Sequence, residues 1–396
     1  MLESITIGNF NQDKLGEFDV NDFKSKLELA INNVTLKTTK NISRLMGKFP
    51  SANCTDDLWS VTDNEGWTTG FWTGQLWLCW ELTGDEQFRT QAENLIYSFS
   101  ERLDKGIDID NHDLGFLYTL SCVSAWKITG NDEAHRTAIK AAEKLITRFD
   151  PISRIIQAWG TLDDHEQRGR MIIDCNMNLP LLFWAAQQTG EKKFSSVAIA
   201  HIEQVSKYIV RPDASTHHTY YIDTITGQPK FGKTHQGYSD SSCWARGQAW
   251  GIYGFMLSYK YTGQKEYVEI ARRLAHYFLN RLPKDMVCNW DLDLVGDDTY
   301  RDSSAAAITV CGLLELANAL PVTDKYKSYY ENVAVTIMNS LIDNYLSTVN
   351  DPCEGILKYS AYNVNKNIGV NECSIFGDYF FVEALTRLNQ TWNSYW

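Results

Sequence analysis

The segment NHDLGFLYTLSCVSAWKITG, residues 111–130, is the best starting point for working out the architecture of this chain. Apolar side chains occur on every side of the helix that it predicts, so no face of that helix could be left in water. Other helices must therefore enclose it. The polar pair His112 and Asp113 comes just before the apolar run, and Thr129 and Gly130 end it. We expect His112 and Asp113 to lie at the mouth of a buried site.

The Thr-Gly ending of this helix recurs along the chain. Each copy follows a wholly apolar segment and precedes an amphipathic one, and glycine is the usual residue of a left-handed helix C-cap. Internal repetition of this kind indicates a repeat architecture. The copies end at Gly84, Gly130, Gly190 and Gly263, and Thr323-Asp324 is a degenerate fifth copy.

Six buried helices alternate with six amphipathic ones in this pattern. An open stack of repeats needs polar capping repeats at both ends, and neither end of this chain offers one. We therefore predict an all-α fold, an (α/α)6 toroid formed by residues 1–396 as a single domain, with a small β-hairpin insertion around Gly227. The inner helices are predicted at 71–82, 114–128, 177–188, 244–260, 303–318 and 377–388, and the outer ones at 21–46, 86–104, 132–149, 192–209, 265–281 and 325–346.

Composition excludes several classes of function. The net charge of -12 argues against a nucleic-acid partner, whose phosphates would be repelled. Nine scattered cysteines without a C-x-x-C pair indicate reduced thiols rather than a disulfide framework or a zinc knuckle. The N-terminus lacks the basic and apolar regions of a signal peptide, and no run is long enough to span a membrane. We expect a cytoplasmic protein without a membrane partner, metal or cofactor, either a monomer or a weak homo-oligomer.

Polar residues just before the inner helices are the candidate site. Inner helices of a toroid run parallel, so these residues meet at one rim. Asp, Asn and Ser are also the preferred helix N-caps, and capping is the plainer interpretation for any one position, such as Asp302. Asp174 differs, because Asn176 or Asn178 could cap the helix that follows it. The rim positions are Glu65-Gly66-Trp67, His112-Asp113, Asp174-Cys175-Asn176, Ser239-Asp240 with Arg246, Asp302-Ser303-Ser304, and Glu372-Cys373-Ser374 with Asp378.

Several rim residues have two interpretations. Arg246 and Trp250 share one face of an inner helix, and a buried Arg requires an anion, either a protein carboxylate or a ligand. Trp67 and Trp244 could belong to the core or could stack on a sugar. The long hairpin connection carries polar residues that are either exposed or reach over the pocket: His217, His218, His235 and Gln236. Two carboxylates with aromatic side chains, an Arg and several His suggest acid/base chemistry on an acidic carbohydrate.

Five motifs carry a resemblance to a known family. They are NHDLGF (111–116), DCNMNLP (174–180), SSCWARGQAWGIYG (241–254), RDSSAAAI (301–308) and GDYFFVEAL (377–385). In this order they resemble the unsaturated glucuronyl hydrolases, glycoside hydrolase family 88. The resemblance implies an (α/α)6 barrel that acts on the unsaturated disaccharides left when lyases digest chondroitin or hyaluronan. It also implies an unusual reaction, hydration of the C4=C5 double bond, after which the glycosidic bond is lost.

The resemblance also implies roles for individual residues. Asp174 matches the general acid/base, and Asp113 matches its assisting carboxylate. Members that prefer sulfated substrates share a Ser/Ser/Lys cluster; the comparable stretch here, KYSAYNVNKN (358–367), departs from it by offering only Ser360 and Lys366. The expected ligand contacts are Trp67, His112, His218, Gln236, Arg246 and Trp250, with Trp244, Ser360 and Lys366 as further candidates.

Two alternatives remain open on the sequence. One is an unsaturated rhamnogalacturonyl hydrolase, with the same ring and the same hydration chemistry on pectin fragments; the segment containing Arg246 and the His-rich hairpin favour the glucuronyl enzyme. The other is a ring without catalytic activity that binds carbohydrate or protein. Asp174, with no evident capping duty, argues against the second alternative.

Overall fold

The computed structural model describes residues 19–296 and 299–396. Residues 1–18, where the sequence predicts no signal peptide, lie outside the described part. Inner and outer helices alternate along the described chain as predicted. The outer helices are α1 Val20–Leu45, α3 Glu86–Lys105, α6 Asp132–Ile146, α8 Lys192–Gln204, α10 Lys265–Asn280 and α12 Lys325–Ser340. The inner helices are α2 Thr69–Thr83, α4 Leu114–Tyr118 continued by α5 Ser124–Thr129, α7 Leu179–Thr189, α9 Ala245–Thr262, α11 Ser303–Ala319 and α13 Ile375–Asn389.

Three of these helices contain a turn of π-helix. One such turn, Thr119–Val123, joins α4 to α5 within the opening segment of the sequence analysis. The other two, Val205–Ile209 and Leu341–Tyr345, extend α8 and α12. These two π-helical turns explain why the predicted outer helices 192–209 and 325–346 end about five residues beyond α8 and α12.

Contacts between neighbouring inner helices close the ring. Going round it, α2 packs on α4, α4 on α7, α7 on α9, α9 on α11, α11 on α13, and α13 on α2. The outer helix α1 packs on both α2 and α13, so it covers the join between the two ends of the described chain. The predicted (α/α)6 toroid is confirmed, and a closed ring needs no capping repeat because it has no open end.

The Thr-Gly pairs perform the capping that the repeat predicts. Gly84, Gly130, Gly190 and Gly263 all have φ between 68° and 74°, the left-handed region that favours glycine. The preceding threonine hydroxyl donates to the carbonyl four residues earlier, as Thr83 does to Cys79 at 2.7 Å. The degenerate fifth copy lacks the glycine cap. Helix α11 ends at Ala319, and its C-cap residue, Leu320, has an extended backbone.

Four small antiparallel sheets occur in the connections between the helices. The predicted hairpin is confirmed as β6 Thr219–Ile222 and β7 Pro229–Lys233, and β5 Arg170–Ile172 joins it as a third strand. A second hairpin, which the sequence analysis missed, pairs β8 Ser360–Asn363 with β9 Ile368–Glu372. The two remaining sheets pair β1 Phe49–Pro50 with β2 Val61–Thr62, and β3 Phe149–Asp150 with β4 Ile155–Ile156.

The C-terminal segment packs among the inner helices. The Trp396 ring is fully buried and stacks on Phe380 with 6.0 Å between centroids. Its Nε1 donates to Glu383 Oε2 at 2.8 Å. Across residues 19–296 and 299–396, no helix combines the length and apolar character required to cross a membrane.

Candidate active site

A cavity of about 270 Å³ opens where the inner helices begin. Side chains from the predicted rim, from the long connections and from the β8–β9 hairpin line it. Two long connections that precede inner helices, residues 150–176 and 210–243, therefore both contribute to the cavity, and connections of this length in a compact domain are usually functional. The lining residues are Trp67, Asp113, Trp159, Asp174, His235, Gln236, Trp244, Arg246, Trp250, Tyr362, Asn363, Lys366 and Ile368.

Two carboxyl groups and one imidazole meet at the floor of this cavity. His112 Nε2 lies 3.4 Å from Asp113 Oδ1 and 3.4 Å from Asp174 Oδ1. The imidazole is fully buried behind the two carboxyls, and neither of its ring nitrogens has a hydrogen-bond partner among the described residues. Neither carboxyl caps a helix. Asp113 precedes the first residue of α4 without making a side-chain cap bond, and Asp174 lies inside a 3-10 turn, Ile173–Met177.

The turn that carries Asp174 is held between two inner helices by close backbone contact. A Cβ at Gly115 of α4 would lie 2.2 Å from Asn178 Cα, and one at Gly254 of α9 would lie 2.4 Å from Asn176 Cβ. The Asn178 side chain ties the same parts together, since its Oδ1 accepts from Phe116 N at 2.7 Å. We expected Asn176 or Asn178 to be able to cap α7, and this expectation is wrong. The Asn178 side chain accepts from the backbone of α4 instead, and the Asn176 side chain has no hydrogen-bond partner in the described residues.

Burial sets the protonation of the three groups. It raises the pKa of Asp174 to about 7, against the opposing positive charge of Arg246. It raises the pKa of Asp113 well above its usual range, and the charge of Asp174 raises it further. Burial also lowers the pKa of His112 far below its usual value, so the imidazole is neutral. The helix N-termini at the rim favour ionised carboxyls, but burial outweighs them.

Arg246 has a protein carboxylate as its partner. Its Nη1 lies 2.5 Å from Asp302 Oδ2, and both groups are buried. Further donated bonds reach the carbonyls of Ala361 at 2.9 Å and Tyr362 at 2.7 Å. Asp302 also caps α11 through Ser304 N, as the plainer interpretation of that residue predicts. Because guanidinium offers five N–H donors, two remain for a ligand in the cavity.

His218 is a supporting residue behind the cavity wall. Its Nδ1 accepts from the backbone N–H groups of His235 at 3.0 Å and Gln236 at 3.2 Å, so the ring proton is on Nε2. Its ring packs on Trp244 with 4.3 Å between centroids, and Trp244 in turn lies 4.6 Å from the guanidinium of Arg246. His218 itself is absent from the cavity lining, whereas Gln236 and Trp244 are part of it.

Tyr362 links the opposite walls of the cavity, and the sequence analysis missed it. Its hydroxyl accepts from Trp67 Nε1 at 3.0 Å, and its carbonyl accepts from Gln236 Nε2 at 2.8 Å as well as from Arg246. The Trp67 ring stacks on Phe376 at 5.3 Å. The alternating pattern of residues 358–363 was the signal that could have revealed strand β8 and placed Tyr362 on it.

The remaining candidates divide between the cavity and the interior. Lys366 is exposed at the cavity, and Trp250 lines it from α9. Ser360 is buried outside the cavity lining, where its Oγ lies 2.9 Å from Ser374 Oγ. Trp159, also missed, packs edge-on against His235 at 4.9 Å.

Two groups of side chains have the spacing of metal ligands. His112, Asp113 and Asp174 form one, and Cys54, Cys353 and Cys373 form the other; within each group the ligand atoms lie within 4.8 Å of one another. Burial opposes ionisation of both carboxyls, which makes the first group a better proton-transfer set than a cation site. The expectation of a reaction without metal or cofactor stays a prediction.

Comparison with known proteins gives consistent matches along the chain. Residues 39–388 match the family described as Glycosyl Hydrolase Family 88. The "Unsaturated chondroitin disaccharide hydrolase" of Streptococcus pyogenes serotype M1 is 42% identical over 377 residues, which cover 95% of this chain and 93% of that protein.

Solved structures agree with the sequence match. An unsaturated glucuronyl hydrolase from Streptococcus agalactiae superposes with a TM-score of 0.95 at 40% identity, covering 100% of this chain and 98% of the other. A variant of that enzyme complexed with dGlcA-GalNAc6S superposes with a TM-score of 0.87 at 37% identity and the same coverage.

Proposed function

The chain belongs to glycosyl hydrolase family 88, and from this membership we propose that it hydrolyses unsaturated glucuronyl disaccharides derived from chondroitin or hyaluronan. The names of its relatives give the substrate class, and the complex with dGlcA-GalNAc6S gives one member of it. The observation that carries the proposal is the pair of carboxyls, buried Asp113 and partly buried Asp174, that both lie 3.4 Å from Nε2 of the neutral His112.

Asp174 is proposed to move the proton. In its acid form it protonates C4 of the unsaturated sugar, and the resulting carboxylate accepts a proton from the water that adds at C5. The hemiketal formed in this way opens, and the partner sugar leaves with the glycosidic oxygen. A pKa near 7 suits a group that must act both as acid and as base, because neither form is scarce at neutral pH.

Asp113 and His112 are proposed to position and tune Asp174. Burial and the charge of Asp174 both oppose the ionisation of Asp113 and favour its protonated form. It can therefore donate a hydrogen bond to a ligand or to Asp174. The neutral imidazole of His112 holds no charge that would lower the pKa of either carboxyl.

The cavity walls supply binding groups of the expected kinds. Flat rings of Trp67, Trp244 and Trp250 suit sugar faces, and the two free N–H groups of Arg246 suit the substrate carboxylate. Gln236 and Lys366 add a polar contact and an exposed cation at the mouth, where a sulfate on the partner sugar would be accepted. We leave His112, His218 and Ser360 out of this proposed contact set, because none of the three lines the cavity.

The double bond tests the reaction directly. A retaining glycosidase also has two carboxyls about 5 Å apart, so distance alone does not distinguish it from a hydratase-type enzyme. We expect turnover to remove the ultraviolet absorbance of the alkene in step with release of the partner sugar. An analogue with the C4=C5 bond reduced should bind without being cleaved. Cleavage of that analogue at a comparable rate would contradict the hydration chemistry.

Substrate choice and the role of Asp174 need separate assays. Unsaturated chondroitin and hyaluronan disaccharides should be turned over faster than an unsaturated rhamnogalacturonan disaccharide; the reverse order would favour the pectin enzyme, and no activity on any would favour a binding ring. Asp174→Asn should lower kcat by about 10²–10⁴ and leave ligand affinity within about tenfold. Asp132→Asn, an exposed helix residue, serves as the control.

We also propose that the protein works in the cytoplasm as a monomer or weak homo-oligomer. All nine cysteines are buried and free, which fits a reducing compartment. Cell fractionation with antibody detection tests the location, and sedimentation velocity tests the assembly.

A further inference from the structure

A second cluster of reactive side chains lies away from the sugar cavity. The thiols of Cys54, Cys353 and Cys373 lie within 4.8 Å of one another, and the closest pair, Cys353 and Cys373, has its sulfurs 3.2 Å apart. All three are buried. The proposed reaction uses none of them.

Three separate segments build this cluster. Cys54 lies between strands β1 and β2, Cys353 in the loop before β8, and Cys373 between β9 and helix α13. Backbone pairing fixes the first to the third, since Cys54 N donates to Cys373 O at 2.8 Å. Gly355 allows the loop to lie close, because a Cβ there would be 2.6 Å from Cys373 Sγ.

A buried lysine beside the cluster supplies positive charge. Lys37 is only 4% exposed, and its ammonium donates to uncharged acceptors: Ser347 Oγ at 2.5 Å, Cys353 O at 2.6 Å and Thr348 O at 3.2 Å. In the described residues 19–296 and 299–396, the Lys37 ammonium donates to no carboxylate. Burial of this cation is costly, and the thiols of Cys353 and Cys373 interact with it electrostatically, as do the carboxyl groups of Asp378 and Asp351.

We propose that Cys54, Cys353 and Cys373 form a binding site for a thiophilic metal ion, with Zn²⁺ as its occupant. Binding replaces three S–H protons by one Zn²⁺ and releases the protons to solvent. Three thiolates and Zn²⁺ leave one negative charge, which the Lys37 ammonium offsets. A water molecule would complete the usual four ligands.

The present spacing needs little adjustment to hold the ion. Sulfurs bound to a tetrahedral Zn²⁺ at about 2.3 Å lie roughly 3.8 Å apart. This distance falls between the 3.2 Å of the closest pair and the 4.8 Å within which all three sulfurs lie. The ion would join the 53–58 loop to the start of α13, three residues before Phe376, which packs on Trp67. It would therefore stabilise a wall of the sugar cavity without touching the substrate.

The wild-type protein tests the proposal without any substitution. Reduced protein dialysed against Zn²⁺ and then against metal-free buffer should retain one Zn²⁺ per chain, and a strong chelator should lower its Tm by roughly 2–5 °C. Co²⁺ in place of Zn²⁺ should show sulfur-to-metal charge-transfer absorption. Failure to retain Zn²⁺ would overturn the proposal. So would a count of seven free thiols in the unfolded protein, nine minus two, because that count shows a Cys353–Cys373 disulfide.

Substitutions place the ion at this cluster. Cys54→Ser should abolish retention of Zn²⁺ and the charge-transfer band while changing kcat less than about twofold. Cys122→Ser, which removes a buried thiol elsewhere in the ring, should retain the metal as wild type does. If Cys54→Ser retains one Zn²⁺ per chain, the ion binds elsewhere and the site is refuted.

Discussion

The Asp174 carboxyl owes its pKa of about 7 to burial, and the same burial makes it costly to the folded state. A group whose pKa is raised on folding contributes its stability below the pKa of the unfolded chain. That contribution is lost as the pH rises through the folded pKa. The same raised pKa that suits Asp174 to its proposed proton transfer therefore destabilises the fold once the carboxyl ionises.

Asp174→Asn should make the protein more stable at pH 8 than wild type. An amide cannot ionise, so the variant avoids the loss that wild type suffers between pH 4 and pH 7. A rise from 3.8 to about 7 limits the gain to about 4 kcal/mol. Urea unfolding at pH 4 and pH 8 measures it, with Asp132→Asn as the control. An equal stability difference at both pH values would show that the Asp174 pKa is not raised by folding.

Arg246→Ala should lower the free energy of unfolding by about 3–5 kcal/mol, because it leaves the Asp302 carboxylate buried without its partner. The double variant Arg246→Met with Asp302→Asn should recover part of this loss. Arg136→Ala, on an exposed pair with Glu133, provides the control. Unchanged stability together with a raised KM would instead mean that Arg246 acts through the ligand alone.

At the scale of elements, the site depends on how closely α4 and α9 approach the Asp174 turn. Two glycines face this turn, one from each helix, and backbone atoms occupy the space that a side chain would need. Asp113 begins α4, so the gap between α4 and the turn sets the separation of the two carboxyls. The motif NHDLGF thus contains both Asp113, which we propose positions Asp174, and the glycine that sets its distance from the turn.

Gly115→Ala should destabilise the protein by about 1–3 kcal/mol and lower kcat, because its Cβ would force α4 away from Asn178. Gly251→Ala is the matched control. Its Cβ would meet the end of the Leu274 side chain at 2.8 Å, which can move, and alanine improves helix propensity by about 1 kcal/mol. Thermal unfolding and steady-state kinetics of both variants make the comparison. Equal effects of the two substitutions would contradict the proposed backbone contact.

At the scale of the whole molecule, the ring must fill its own centre. Inner helices leave aromatic side chains pointing at one another, and Trp396 packs among them against Phe380, Tyr253 and Tyr379. Its indole N–H also satisfies the buried carboxylate of Glu383. The end of the described chain is thus part of the core of the ring.

Trp396→Ala should cost about 3–5 kcal/mol, the usual loss for a buried aromatic ring, with an added penalty for the unsatisfied Glu383. Trp80→Ala, at a half-buried position on α2, should cost less. Denaturant unfolding of both variants measures the difference. A smaller loss for Trp396→Ala than for Trp80→Ala would show that the ring does not depend on this residue for its core.

The sequence alone was sufficient for the order and type of the helices and for the closure of the ring. Those properties follow from local signals that repeat: wholly apolar segments, amphipathic segments and Thr-Gly caps. It was also sufficient to predict which positions precede the inner helices, and the structure brings Trp67, Asp113, Asp174 and Arg246 from those positions to one cavity. The β8–β9 hairpin escaped because its strands, SAYN and IGVNE, contain fewer β-branched and aromatic residues than the TYYI strand of the predicted hairpin, and Tyr362 escaped with it.

Only the tertiary structure decided the partners and the charges. Arg246 contacts Asp302 across 56 positions of sequence, and Cys54 contacts Cys353 and Cys373 from near the other end of the described chain. No spacing motif records such contacts, because they are set by which helices the ring makes neighbours. The raised pKa of Asp174 likewise depends on the burial that all these segments produce together. Local periodicity encodes helices, whereas desolvation and charge pairing exist only once distant segments have met.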